Sequence, residues 1–464
     1  MLAAAAATAS GCSTYQSQPL NAGAMHAAWL ARTPSDEPAR DFARRLAEAE
    51  GWTDEVVFDS SDGLTLREAE PVALVFNREL RLARLEAGVA RATAEHAGLW
   101  EDPVVGVDIE RILSGVDDPW VVGGAIGFTI PISGSTSVAK DQADATYAAE
   151  LARLAAREWA TRIALRTLWI EWSAQTERVR LAHALTDRLR DIVALVERQE
   201  GAGVLSRVDA RLFAVELAAA EADLIASEAG EVELRLRVLD MLGLSPEAPV
   251  VLIPAIASSA SQREWTLAQI EAGNADLAVA AAEYAAAEQS LRLEIRKQYP
   301  DLVIGPGFAT DQGDERVLLG LELPLPLWNR NRQGVAAAHA ERDVARARYE
   351  STLEHLASRL AIARSRHEAD RAMRQAVEGR VLPLVDEQDA EVQRIAELGR
   401  LNALLLLEAL HTQSRAKGSL LDAREAEAIG VIRLEELVGP PRKLASNSDQ
   451  STPRGDAGQS GGRP

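Results

Sequence analysis

Between Ser135 and Glu200 the chain contains neither proline nor glycine, and nothing else in the sequence limits the fold so strongly. As α-helix, at about 1.5 Å per residue, this run is about 100 Å long. That is several times the length of an ordinary globular helix. One stripe along it, Leu165, Leu168, Trp172, Gln175, Val179, Ala182, Thr186, Leu189, Val193 and Val196, advances in alternating steps of three and four. Only Gln175 and Thr186 break its apolar character. A second stripe, Trp159, Ile163, Ile170, Ala174, Leu181, Leu185 and Ile192, falls on roughly the opposite face. One seam makes a two-helix coiled coil, whereas two seams let each helix pack against neighbours on both sides. A closed cylinder of helices requires that two-sided packing.

The same organisation is written twice. Asn77 opens "NRELRLARLEAGVARATAEHAGLWEDPVVGVDI" and Asn274 opens "NADLAVAAAEYAAAEQSLRLEIRKQYPDLVIGPGF", with Pro103 and Pro300 at equal distances beyond them. Thr65 with Glu68 and Thr266 with Gln269 are spaced as capping boxes that start a helix just before each unit. "GFTIPIS" around Pro131 matches "LELPLPL" around Pro324, and Gly203-Val204-Leu205-Ser206 matches Gly399-Arg400-Leu401-Asn402. Four landmarks in one order make a tandem repeat of about 200 residues. The first repeat is expected over 64–250, with strands at 104–111 and 121–130 and helices at 136–200 and 204–242. The second is expected over 251–439, with a helix at 274–298, strands at 302–309 and 316–324, and helices at 335–398 and 402–438. Gly379 and Pro383 interrupt the second long run, so a kink is expected there.

The four strand segments alternate apolar with small or polar residues. Val105, Val107 and Ile109 alternate with Gly106, Asp108 and Glu110, and Val317, Leu319, Leu321 and Leu323 alternate with Leu318, Gly320 and Glu322. Period two fits membrane barrel strands and ordinary half-buried hairpins alike. No apolar run approaches the roughly 20 residues of a spanning helix, so any membrane crossing would use strands. Four strands cannot close a barrel, and an open sheet in lipid leaves unpaired edges. Several chains would have to share one barrel; three would supply twelve strands and a ring of long helices beneath them.

Composition narrows the alternatives. A chain of 464 residues that is 47% hydrophobic but 4% aromatic reads as long helices. Its net charge of -20 argues against a nucleic-acid surface. Phosphate loops, dinucleotide fingerprints and nucleophile elbows are absent, the seven histidines are scattered, and four methionines make no copper path. The carboxylate run at 384–391 reads as a solvated helix face. Neither enzymatic activity nor a cofactor is expected. The single cysteine, Cys12, ends "LAAAAATASGC", which has the look of a lipobox although Ala9 stands where leucine is usual and no basic residue precedes the run. Residues 1–11 are then a signal peptide, truncated if the true start lies upstream, and 12–63 a lipidated, extended arm. The alternative is an alanine-rich terminus with a chance cysteine. Residues 440–464 have the composition of a disordered tail.

Taken together, the doubled unit, "TLREA…NREL", "LPLPLWNRNRQG" and the glycine-led turns resemble the TolC-like outer-membrane efflux protein family, in particular its lipoprotein and cation-efflux branches, from Leu64 to about Gly439. The resemblance implies a homotrimer whose twelve-stranded outer-membrane β-barrel, four strands per chain, continues into a long periplasmic α-helical barrel. It also implies a periplasmic adaptor and an inner-membrane pump as partners. The chain would then be the exit duct of a tripartite efflux system for small solutes or metal cations; a duct for protein secretion and a soluble coiled-coil scaffold are the alternatives. By the same resemblance, Gly203, Val204, Leu205 and Ser206, with Gly399, Arg400, Leu401 and Asn402, form the periplasmic tip and meet the adaptor. As helix turns alone they need no partner. Asp209 and Glu408 are candidates for carboxylate rings narrowing the pore, or else exposed helix charges. Pro131, Pro324, Pro326 and Trp328 mark the junction of barrel and tunnel.

Overall fold

The computed structural model describes residues 15–50, 58–59, 62–114, 120–256, 264–311, 314–397 and 403–440. Two N-terminal helices, α1 (Ala22–Leu30) and α2 (Glu37–Glu50), stand where the sequence led us to expect an extended arm. The correction has a simple origin. Asp36 accepts from the backbone and hydroxyl of Thr33, which turns the chain, and Ala39, Phe42, Ala43 and Leu46 then recur at helical spacing. Two of those four residues are alanine, so the stripe is faint in the sequence.

Next come α3 (Leu66–Phe76) and α4 (Arg78–Glu95), which meet at Asn77. Their counterparts later in the chain are α7 (Leu267–Gly273) and α8 (Ala275–Arg296), which meet at Asn274. Thr65 and Thr266 form capping boxes with Glu68 and Gln269. Each asparagine caps the helix that follows it. Each also donates from Nδ2 to a carbonyl ending a distant helix, Asn77 to Met241 at 3.0 Å and Asn274 to Leu437 at 2.9 Å. Gly243 and Gly439 complete these elbows. Both have positive φ, and a Cβ would fall 2.2 Å from Phe76 O and 2.0 Å from Gly273 O respectively, so no other residue fits.

The long helices fill the middle of the chain. α5 (Ser135–Gly201) has 67 residues and pairs with α6 (Arg207–Met241). Leu165 and Trp172 of the first stripe bury against Val238 and Leu239 of α6, while Leu189 and Val196 meet Phe213. The two polar members of that stripe are satisfied by α6 carbonyls, Gln175 by Ser227 O at 2.9 Å and Thr186 by Ala220 O at 3.4 Å. The other flank of α5 packs on α11 (Ala403–Val438), where Trp159, Ile163 and Ile170 meet Ala428 and Ile432. Along this part of α5 each seam thus has its own neighbour, and nearer its start the helix packs on α4 and α8, with Arg84 on Glu158 and Arg153 on Glu283.

In the second half the long run is divided into α9 (Arg332–Ala376), a π-helical turn (Val377–Val381) and α10 (Leu382–Glu397). Pro383 has no N–H for the carbonyl of Gly379 and its ring crowds that oxygen. Widening the turn, with Leu382 N–H reaching back to Val377 O, relieves both.

A four-stranded antiparallel sheet completes the fold, in the order β1 (Val104–Arg111), β2 (Trp120–Ile130), β3 (Leu302–Asp311) and β4 (Asp314–Glu322). The central pairing joins the two halves of the chain, with Phe128 opposite Ile304 and Ile130 opposite Leu302. β4 stops before Leu323 and Pro324, which the alternation had included.

Candidate functional site

Register divides the sheet into two unlike faces. Val105, Val107 and Ile109 stand beside Ile126, Gly124 and Val122, and Ile304, Pro306 and Phe308 stand beside Leu321, Leu319 and Val317. With Phe128 they form a continuous, exposed apolar face. The opposite face carries Gly106, Asp108 and Glu110, then Gly123 and Gly127, then Gly305, Gly307 and Asp311, then Arg316, Gly320 and Glu322. It mixes small and charged residues with a few apolar ones, Leu318 and Val303 among them, and carries an ion pair from Arg316 to Asp311 at 2.8 Å. β1 and β4 are the two edges, and every residue of both is exposed. Val107 is 67% and Leu319 68% exposed, an arrangement that water does not favour for flat apolar strands. Aromatic side chains bracket this face. Trp120 begins β2 beneath the guanidinium of Arg111. At the other end of the sheet lie exposed Trp100, Tyr299 and Trp328, just beyond β1, β3 and β4.

At that second end the strands give way to helices. After Pro131, Ser133 is buried and its backbone N–H donates to Asp301, and Gly134 turns the chain into α5. After Pro324 and Pro326, Arg330 and Asn331 both adopt a φ of 47°, and they are the only non-glycine residues with positive φ among those described. Asn331 is held there by Glu294, donating to its backbone oxygen at 2.9 Å and its carboxylate at 2.6 Å. The ammonium of Lys297 and this amide keep the Glu294 carboxyl below the usual range. Trp328 is 90% exposed.

The far end of the α5–α6 hairpin is a tight turn. Gly203 N–H donates to Glu200 O and Val204 N–H to Gln199 O, closing α5, and Ser206 caps α6. Val204 is exposed and Leu205 packs on the core cluster that joins α6 to α11. Asp209 accepts from the Ser206 hydroxyl at 2.7 Å, so its carboxylate completes the cap. Glu408 is exposed and bound by Arg415 at 3.0 Å. Neighbours of both acids, Ala210, Leu407 and Ala409, share that core cluster. Cys12, Gly399, Arg400, Leu401 and Asn402 lie outside the described residues.

Three buried charge clusters escaped the sequence reading. Glu70, on α3, accepts from Arg162 at 2.6 Å and Arg166 at 2.5 Å, and Arg166 continues to Glu435 on α11. Both guanidinium groups also lie over the Trp159 ring. Asp389, on α10, is reached by Arg188 of α5 and by Gln413 of α11. At the π-helical turn, Arg374 binds the buried Glu427, and Glu378 is shared by Arg374 and Arg424. Charged residues inside otherwise apolar segments, such as Glu70 in "EAEPVALVF", were the available signal. Among the described residues, no group of three or more His, Cys, Asp and Glu is placed to hold a metal ion. No described helix is long and apolar enough to cross a membrane.

Comparison with known proteins gives this geometry a context. Residues 266–440 match the family described as outer membrane efflux protein. The cobalt-zinc-cadmium resistance protein CzcC of Cupriavidus metallidurans is 27% identical over 244 residues, a segment spanning 52% of this chain and 58% of that protein. Among solved structures, a membrane protein from Pseudomonas aeruginosa superposes with a TM-score of 0.70 at 19% identity, covering 81% of this chain and 90% of its own. CusC, solved in a study of folding and transmembrane channel formation, gives 0.68 at 15% identity, over 81% and 92%. These matches bear out the resemblance to the outer-membrane efflux family, and the superpositions show a shared fold.

Proposed function

We propose that this chain, an outer membrane efflux protein by the family it matches, is one third of an outer-membrane exit duct that carries metal cations out of a pump–adaptor complex. The carrying observation is the sheet with two unpaired apolar edges. Unpaired amide and carbonyl groups cost several kcal/mol each in lipid, so β1 of one copy must pair with β4 of another. Three copies reach twelve strands, comfortably above the roughly eight that a barrel needs. The eleven residues of β2, at about 3.4 Å each and tilted by about 40°, span about 29 Å. That is enough to cross an outer-membrane apolar band of about 25 Å, and the aromatic residues at both ends lie where its girdles belong.

The helical part supports the same assembly. α6 spends one face on α5, yet Val208, Val215, Ala222, Ile225, Ala229, Val232 and Leu236 form a second stripe that is exposed throughout. Its spacing is heptad-like, the signature of a seam for another helix. Supplied by a second copy, that helix extends the row α6–α5–α11 towards a closed tunnel. The matched elbows at Asn77 and Asn274 favour two tandem repeats, 64–250 and 251–439, as the unit of construction.

In this reading the duct does no chemistry. Pro131, Pro324, Pro326 and Trp328 mark the passage from barrel to tunnel, and Cys12 would carry lipid at the end of a signal peptide over 1–11. Gly203 to Ser206 and Gly399 to Asn402 form the tip that meets a periplasmic adaptor, itself bound to an inner-membrane pump. Asp209 and Glu408 each supply a ring of three carboxylates near that tip. Metal cations are the favoured cargo because CzcC, by its name, confers cobalt, zinc and cadmium resistance.

The test is direct. Cells lacking the chain should become more sensitive to cobalt, zinc and cadmium, and the protein should fractionate with outer membranes as a heat-modifiable trimer. A soluble monomer would defeat the duct, whereas an intact trimer without a metal phenotype would defeat only the cargo. In planar bilayers Asp209→Ala with Glu408→Ala should lower the preference for cations over anions. An unchanged preference would remove both acids from the pore.

A further inference from the structure

The segment between β4 and α9 is more apolar than a connection through water should be. Leu325, Leu327 and Trp328 are 67%, 61% and 90% exposed, although a buried leucine would stabilise the fold by about 2 kcal/mol. They line a cleft of about 440 Å³ together with Lys297, Arg330 and Asn331. The cleft has a fixed wall, because Asn331 is pinned by Glu294, Lys297 also binds Glu294, and Arg330 Nε donates to Pro326 O at 3.2 Å. Glu294 is therefore already engaged. No carboxylate among the described residues lies within ion-pairing distance of Arg330, nor of Arg332 two positions on. In a chain of net charge -20, an apolar shelf beside unneutralised guanidinium groups runs against the overall balance.

The position of the cleft identifies what complements it. It continues the apolar face of β4 past the end of the ladder, level with Trp100 and Tyr299 at the same end of the sheet. In a bilayer that level is the boundary between acyl chains and headgroups. A ligand that fits has a negative phosphate for Arg330 and hydrocarbon for Leu325 and Leu327, with the Trp328 indole at the interface between them.

We propose that this cleft binds the headgroup phosphate of an anionic phospholipid, drawn from the leaflet that faces the helices. The proposal rests on the outer-membrane reading above, and its test is chosen to fail separately from it. The bound lipid neutralises Arg330 and covers the leucines, fixing the strand-to-helix turn at a set depth in the membrane.

The experiment uses the full chain reconstituted in vesicles of equal phosphatidylglycerol and phosphatidylcholine, extracted in mild detergent and weighed intact by native mass spectrometry. Wild-type trimers should retain phosphatidylglycerol in preference to phosphatidylcholine. Arg330→Gln with Arg332→Gln should reduce that retention by at least about tenfold, the minimum for losing a charge-assisted hydrogen bond, while Arg330→Lys keeps most of it. Leu327→Ser should weaken retention of both lipids. A wild-type trimer that conducts ions but shows no lipid preference would overturn the proposal and leave the duct standing; failure to form a trimer would remove both. If the double glutamine variant loses the trimer yet its monomer still holds the anionic lipid, the arginines serve contacts between copies and the proposal is wrong. Displacement of the lipid by inorganic phosphate alone would make this a free-anion site, and would equally overturn it.

Discussion

Glu70 shows how a single residue holds distant parts of this chain together. Its side chain is 5% exposed and lies between Arg162 and Arg166, so α3, α5 and, through Glu435, α11 converge on one carboxylate. Burying three charges is costly, and such clusters are poor sources of net stability, but breaking one leaves an uncompensated charge inside. Glu70→Ala should therefore destabilise the fold by about 3–5 kcal/mol, read from thermal unfolding. Replacing all three residues with apolar ones of similar volume should cost much less; equal losses would show that packing rather than charge is at stake. At the π-helical turn the relevant variable is pH. Glu378 has its carboxyl held below the ordinary value of 4.5, first by the hydrogen bond from Arg424 and then by that from Arg374. A carboxyl whose pKa falls on folding adds stability that is complete above the ordinary value and is lost as pH drops through the folded one. Glu171 acts in the opposite sense, since burial and Glu425 raise its pKa, and its charge weakens the fold as pH rises. The link between α9 and α11 should thus loosen below about pH 4.5, and Glu378→Gln should flatten that acid limb of a stability–pH profile. An unchanged limb in the variant would assign it to other carboxylates.

At the scale of the element, stripes decide which helices have neighbours. α5 displays two and has partners on both; α6 displays two and has a partner within the chain on one. Val215→Glu with Ile225→Glu should leave the helical circular dichroism of the chain unchanged and abolish the trimer in light scattering. Loss of helicity would mean that the stripe is needed within one chain. The periodicity of α5 was legible because an apolar surface on a long rod leaves a regular trace. That α9 and α10 are joined by a π-helical turn was foreshadowed only as an interruption at Gly379 and Pro383. The choice among a kink, a break and a wide turn depends on whether neighbouring helices hold both segments in line. Here Glu378 ties the turn to α9 and α11, and Asp389 ties α10 to α5 and α11. The N-terminal helices were missed for a related reason, since two alanines of α2, Ala39 and Ala43, bury surface without a strong apolar signal.

For the molecule as a whole, the two faces of the sheet must meet different surroundings. Val107 and Asp108 are neighbours in the middle of β1 and point opposite ways. If the apolar face meets lipid, Val107→Arg should cost about 2–4 kcal/mol of folding into vesicles, whereas Asp108→Arg should cost little and shift ion selectivity instead. Equal costs would mean that the outer face does not lie in a bilayer. The same division accounts for the glycines gathered on the face of Asp108. In a closed barrel they would keep the lumen open, and at Gly307 a Cβ would fall 2.9 Å from the oxygen of Gly124 on the adjacent strand.

The sequence by itself determined the periodicities: two seams on a rod, four alternating strands, paired capping boxes, and prolines at both junctions. Each of these follows from local geometry, because 3.6-residue and two-residue repeats and proline's missing N–H act within a few residues. Only the tertiary structure decided that β2 pairs with β3 across the two halves, that Asn77 and Asn274 reach the ends of α6 and α11, and that Glu70 meets Arg162 and Arg166. Those contacts join residues from about 90 to almost 200 positions apart, and local rules carry no information about such distances. They are settled by which buried polar groups find partners when the helices pack, since a group left without one would cost more than most single contacts return.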